Sequence, residues 1–99
     1  MDIHFVDDTL TFDGSSMRMH FVVERDGEPI TCAITVEALE DHFGAESALE
    51  ASLRKAFERG RSRILAACAD AMNETGGAVV LHSGAFRATG ASARDETGD

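Results

Sequence analysis

Residues 17–35 read Met17-Arg-Met-His-Phe-Val-Val-Glu-Arg-Asp-Gly-Glu-Pro-Ile-Thr-Cys-Ala-Ile-Thr35, and this stretch decides the fold. Met17, Met19, Phe21 and Val23 alternate with Arg18, His20, Val22 and Glu24, the period-2 pattern of a strand with one apolar face. Ile30, Cys32 and Ile34 alternate with Thr31, Ala33 and Thr35 in the same way. Between the two runs lies Asp26-Gly27, a strong hairpin signal because both turn positions must accept positive φ. Pro29 stands at the start of the return strand, where a missing N–H is tolerated. An antiparallel hairpin follows, with Met17 and Met19 expected in the core.

Upstream, Ile3-His4-Phe5-Val6 and Leu10-Thr11-Phe12 are short apolar clusters split by Asp7-Asp8, and Asp13–Ser16 reads as a turn. Downstream, Thr35 is placed to cap a short helix over Val36–Phe43, with Glu37 near its positive end and Gly44 as a left-handed stop. Ser47 and Glu50 have capping-box spacing. From Leu49 to Met72 apolar residues recur at steps of three and four, which predicts one long amphipathic helix ending near Thr75. Gly60 lies on its apolar stripe, so it marks a close approach to another element, or a kink or break. Ala78–His82 reads as a last strand, with Phe86 as its anchor.

The expected architecture is α+β, in the order β-β-β-α-α-β. A β-meander or hairpin sheet of about four antiparallel strands is covered on one face by a short and a long helix. Arg18, His20, Glu24, Thr31 and Thr35 should point away from the helices. Residues 1–86 form one domain, and 87–99, without apolar periodicity, read as a flexible C-terminal tail.

Of 99 residues, 43% are hydrophobic, which suffices for a core, and six Phe supply all of its aromatic content. Nine basic residues against eighteen acidic ones give a formal charge of −9. That balance disfavours phosphate backbones and anionic membranes as partners. Residues 1–24 lack the charged and apolar regions of a signal peptide, and no run approaches the ~20 apolar residues of a membrane span. Two cysteines, Cys32 and Cys68, make no disulfide framework and no CxxC pair. The expectation is a reduced, cytoplasmic protein without a cofactor.

The stretch from Cys32 to Gly44, Cys-Ala-Ile-Thr-Val-Glu-Ala-Leu-Glu-Asp-His-Phe-Gly, resembles the signature of the bacterial DUF1488 family. The pattern Ala56-Phe57, Arg61, Ile64, Ala67 and the closing run Val79–Phe86 are similar to it as well. The resemblance spans about residues 1–86. It implies a small α+β protein and no activity, because none is assigned to the family. The tail over 87–99 lies outside that pattern.

Three sets of residues are candidates for function. His42 beside Glu37 and Asp41 has the makings of a general base with an orienting acid. Its structural alternative is capping of the helix C-terminus, and no nucleophile stands at a diagnostic spacing. Arg54, Lys55, Arg59, Arg61 and Arg63 place five of the nine basic residues in ten positions, against Glu58 alone. Lys55, Arg59 and Arg63 form one stripe, and Arg54 and Arg61 another. These cations suit an acidic protein or an RNA backbone, or else form a solvated face with Glu50–Arg54 and Arg54–Glu58 pairs. No aromatic interleaves with them for base stacking, so nucleic acid is disfavoured. For metal, Cys32, Cys68 and the four histidines lack paired ligand spacing, and His20 and His82 across neighbouring strands would give two ligands at best. The glycines Gly76, Gly77 and Gly84 do not form a phosphate loop. The leading expectation is a non-catalytic accessory or regulatory protein acting through a protein partner or a homodimer. A small enzyme centred on His42 and an RNA-binding module on Arg54–Arg63 are its rivals.

Overall fold

The period-2 stretch forms a long hairpin. In the computed structural model, which describes residues 2–86, its strands are β3 (Arg18–Arg25) and β4 (Glu28–Thr35). Met19 faces Ile34, Phe21 faces Cys32 and Val23 faces Ile30 across the ladder. Asp26 and Gly27 both adopt positive φ, at 52° and 87°, as a two-residue turn requires. The tail expected over 87–99 lies outside the described residues.

The two upstream clusters become β1 (Ile3–Phe5) and β2 (Thr11–Asp13), both antiparallel to β3 on the same side. Together they amount to one edge strand interrupted by a bulge at residues 6–10. Val6 N–H still donates to the Val22 carbonyl at 2.9 Å. The Val22 N–H has no backbone acceptor opposite it and donates to Thr9 Oγ1 at 3.0 Å, while that hydroxyl donates to the Val6 carbonyl at 2.8 Å. One threonine side chain therefore mends the ladder where Asp7 and Asp8 leave it.

Asp13 closes the turn after β2, accepting from the hydroxyls of Ser15 at 2.7 Å and Ser16 at 2.8 Å. The Ser15 hydroxyl, and then that of Ser16, hold its carboxyl far below the ordinary 3.8. The folded carboxyl binds its proton more weakly than the unfolded one. This turn therefore adds stability above the unfolded pKa and loses it as pH falls toward the folded value. In an NMR titration, Ser15→Ala with Ser16→Ala should return the Asp13 midpoint toward 3.8.

Thr35 caps α1 (Val36–His42), its hydroxyl accepting from Ala38 N–H at 3.1 Å, and Gly44 follows at φ 75°. The expected long helix is instead two, α2 (Glu50–Arg59) and α3 (Arg61–Thr75), interrupted at Gly60. The Phe43 ring lies against that glycine, where a Cβ would fall 2.1 Å from Phe43 Cδ1. Close approach and break are thus one feature. The capping box does not form either. Leu49 is the N-cap without a side-chain bond, and the Ser47 hydroxyl accepts from Leu49 N–H at 3.3 Å. The loop before α2 is tied by Ser52, whose hydroxyl accepts from Glu46 and Ser47 N–H.

The last strand, β5 (Val79–Leu81), pairs with β4 in parallel, so the sheet is mixed rather than wholly antiparallel. A parallel neighbour needs a long crossover, which α1, α2 and α3 together provide. The strand path is β1-β3-β4-β5, with β2 also on β3. All three helices contribute to a core in which Phe21 meets Phe57 at 5.1 Å between ring centroids and Phe5 completes an edge-to-face trio. Met19 is fully buried there, whereas Met17 takes positive φ ahead of β3 and is 46% exposed, against its expected core position. Its alternation with Met19 lapses because residue 17 belongs to the turn.

Candidate functional site

The helix break sorts the five cations into two groups. Arg59 and Arg63 turn to the C-terminus of α1. Arg59 Nη1 donates to the Phe43 carbonyl at 2.7 Å and the Gly44 carbonyl at 3.3 Å, and Arg63 Nη1 donates to the His42 carbonyl at 3.3 Å. The Arg63 guanidinium also lies 4.7 Å from the centre of the Phe43 ring. These arginines cap the carbonyls that α1 leaves unpaired. Lys55 joins Arg59 in a smaller depression of 270 Å³ beside Gly44.

Arg54 and Arg61 face the β1–β2 bulge instead. Arg54 Nε pairs with Glu50 at 2.8 Å, and its Nη2 donates to the Leu10 carbonyl at 2.9 Å. Glu58 turns to Arg61 at 3.2 Å, so the expected Arg54–Glu58 pair is replaced by one across the break. The Arg61 guanidinium lies 4.9 Å from the centre of the Phe5 ring. Between these side chains and the bulge opens a cleft of 520 Å³, with Phe5 and Phe57 among its lining residues. Its volume falls within the ~300–1,000 Å³ of small-ligand sites. Asp7 and Asp8 form its outer rim. Both are exposed, Asp8 sits at φ 63°, and neither side chain has a partner among the described residues.

His42 and Asp41 come together through a residue the sequence reading missed. Ser83, only 5% exposed, donates to Asp41 Oδ2 at 2.7 Å and lies 3.0 Å from His42 Nε2. A hydroxyl has one proton to give. With that hydroxyl directed at Asp41, His42 Nε2 must be the donor to Ser83, the reverse of an imidazole that takes a serine proton. The His42 ring packs on Phe86, 5.8 Å between centroids. Glu37 is exposed on the first turn of α1 and has no hydrogen bond to this cluster. Ser83→Ala removes the shared partner of two polar groups. It should lower stability by about 1–2 kcal/mol in urea titration, with the fold retained. Only tertiary contact joins residues 41 and 83, although a serine beginning the helical turn at 83–86 is a weak local hint.

His20 and His82 do not meet. His20 stands opposite Ala33 in β4, and Ala33 stands opposite Val80, so a whole strand separates the two histidines. His20 lies 3.6 Å from Asp13 instead. Cys32 and Cys68 are free and buried, and their side chains interact across the core between β4 and α3. The neighbouring Cys32 thiol, and then burial, push the Cys68 thiol far up, which leaves it protonated and inert. Among the described residues no group of three or more His, Cys, Asp or Glu is placed to hold a metal ion. Nor is any described helix long and apolar enough to cross a membrane.

A mixed sheet with helices packed on one side, and a cleft between its bulged edge and the helix junction, defines the class as a small α+β domain. The model of a family described as a protein of unknown function, DUF1488, matches residues 3–81. The chain belongs to the DUF1488 family. It is similar to the crystal structure of a DUF1488 protein of unknown function from Shewanella loihica PV-4. That likeness has a TM-score of 0.66 at 25% identity and covers 82% of this chain and 94% of that one. No curated protein matches.

Proposed function

We propose that this domain works by noncovalent contact with a protein partner, as a small accessory or regulatory protein that carries out no chemistry itself. The observation that carries this reading is the bulge cleft, which combines ligand-site volume with two exposed aspartates at its rim that have no partner among the described residues. A formal charge of −9 makes a second copy an unfavourable occupant and a basic partner a favourable one. Two free, buried thiols suit work in a reducing cytoplasm.

The rival readings have less support. An acid–base role for His42 with Asp41 or Glu37 would have to use Nδ1, because Nε2 is engaged as a donor to Ser83. Asp41 reaches the ring only through that serine, and Glu37 has no hydrogen bond to the cluster. An RNA backbone would compete with the carbonyls and carboxylates that already hold Arg54, Arg59, Arg61 and Arg63.

Affinity capture from the native lysate tests the proposal. The wild-type chain should retain proteins that Asp7→Asn with Asp8→Asn loses. Glu74→Gln, an exposed change on α3, should retain them. A capture set that the aspartate variant reproduces in full would refute a partner at the cleft.

A further inference from the structure

We infer that the bulge cleft recognises a basic peptide segment of a partner protein, with an arginine or lysine beside an apolar residue. This rests on the reading above and adds the chemistry of the occupant. The cleft already holds two guanidinium groups of its own chain. Arg54 donates to the Leu10 carbonyl at 2.9 Å, and Arg61 stacks on Phe5 at 4.9 Å. One bulge carbonyl and one aromatic face in this cleft thus already accept planar cations of the chain itself.

The remaining acceptors determine what more can bind. Arg54 is paired with Glu50 and Arg61 with Glu58, so these two cations offer an incoming anion little net charge. Asp7 and Asp8 have no such counter-ion among the described residues. Their carboxylates stand on a bulge, where the ladder no longer directs side chains alternately up and down. Val6 and Leu10, half-buried on either side of them, supply apolar surface for a neighbouring side chain. Asp8 holds a left-handed conformation that Asp and Asn tolerate better than most residues, so asparagine at both positions removes charge while preserving the turn.

The probe is a short synthetic peptide with two arginines flanking a leucine, titrated into the ¹⁵N-labelled full chain at low salt. Amide shifts should concentrate at residues 5–10 and at Arg54 and Arg61. Binding should weaken about three- to tenfold in Asp7→Asn with Asp8→Asn, and should weaken further with added salt. A matched peptide with glutamates in place of arginines should leave the spectrum unchanged. If spermidine moves the same amides as strongly, the attraction is bulk charge and the inference falls. Shifts spread evenly over the acidic surface also overturn it. Failure of the peptide while lysate capture still depends on Asp7 and Asp8 removes only the basic-segment inference. Loss of both removes the contact reading as well.

Discussion

Phe57→Ala is expected to destabilise the protein by about 4 kcal/mol, the usual range for emptying a buried phenylalanine site being roughly 3–5 kcal/mol. Phe57 is 3% exposed on α2 and sits edge-to-face with both Phe5 and Phe21, at 5.4 and 5.1 Å. Its removal deletes apolar burial and two ring contacts together, and neighbours held by the sheet can close the void only in part. Because small domains have only about 5–15 kcal/mol in hand, the variant should show a sharply lower urea midpoint at an unchanged slope. Phe57→Leu keeps most of the volume and should recover over half of the loss. A Phe57→Ala midpoint within error of wild type would mean that the hairpin and α2 do not share one core.

Gly60→Ala should cost about 1–3 kcal/mol, although alanine ordinarily favours a helix over glycine by about 1 kcal/mol. The added methyl would fall 2.1 Å from Phe43 Cδ1 and 2.3 Å from Cε1. The ring has little room to move away. It is 5% exposed, with Phe86 against it at 4.9 Å and Arg63 over its face. Overpacking therefore outweighs propensity. Phe43→Leu combined with Gly60→Ala should be more stable than the sum of the single changes allows, a coupling that a double-mutant cycle reads directly. Simple additivity would show that the cost of the methyl does not come from the Phe43 ring. Gly60 φ is −108°, so the backbone conformation itself does not demand glycine.

Much of this was legible in the chain because its signals are local. Alternation in residues 18–35, the Asp-Gly turn, the Thr35 cap and the stop at Gly44 each depend on neighbours a few positions away. The capping box at Ser47 failed for an equally physical reason. Ser52 drew the N–H groups of Glu46 and Ser47 to its own hydroxyl, and the helix began later. The pairing of Arg54 with Arg61, and of Arg59 with Arg63, was readable from helical spacing and survives the break at Gly60. What those arginines touch was not readable, since Leu10, Phe43 and Phe5 lie far away in sequence.

Patterns of period two and period three to four require only that each element bury one face, so the residue order alone dictates a sheet backed by helices. It says nothing of which strand lies beside which. The parallel seat of β5 on β4, the Ser83 bridge between Asp41 and His42, and the cleft at the Asp7-Asp8 bulge arise when distant segments compete for the same buried space. Those contacts have no local signature, because hydrogen bonds and ring contacts between residues tens of positions apart depend on how the whole chain packs.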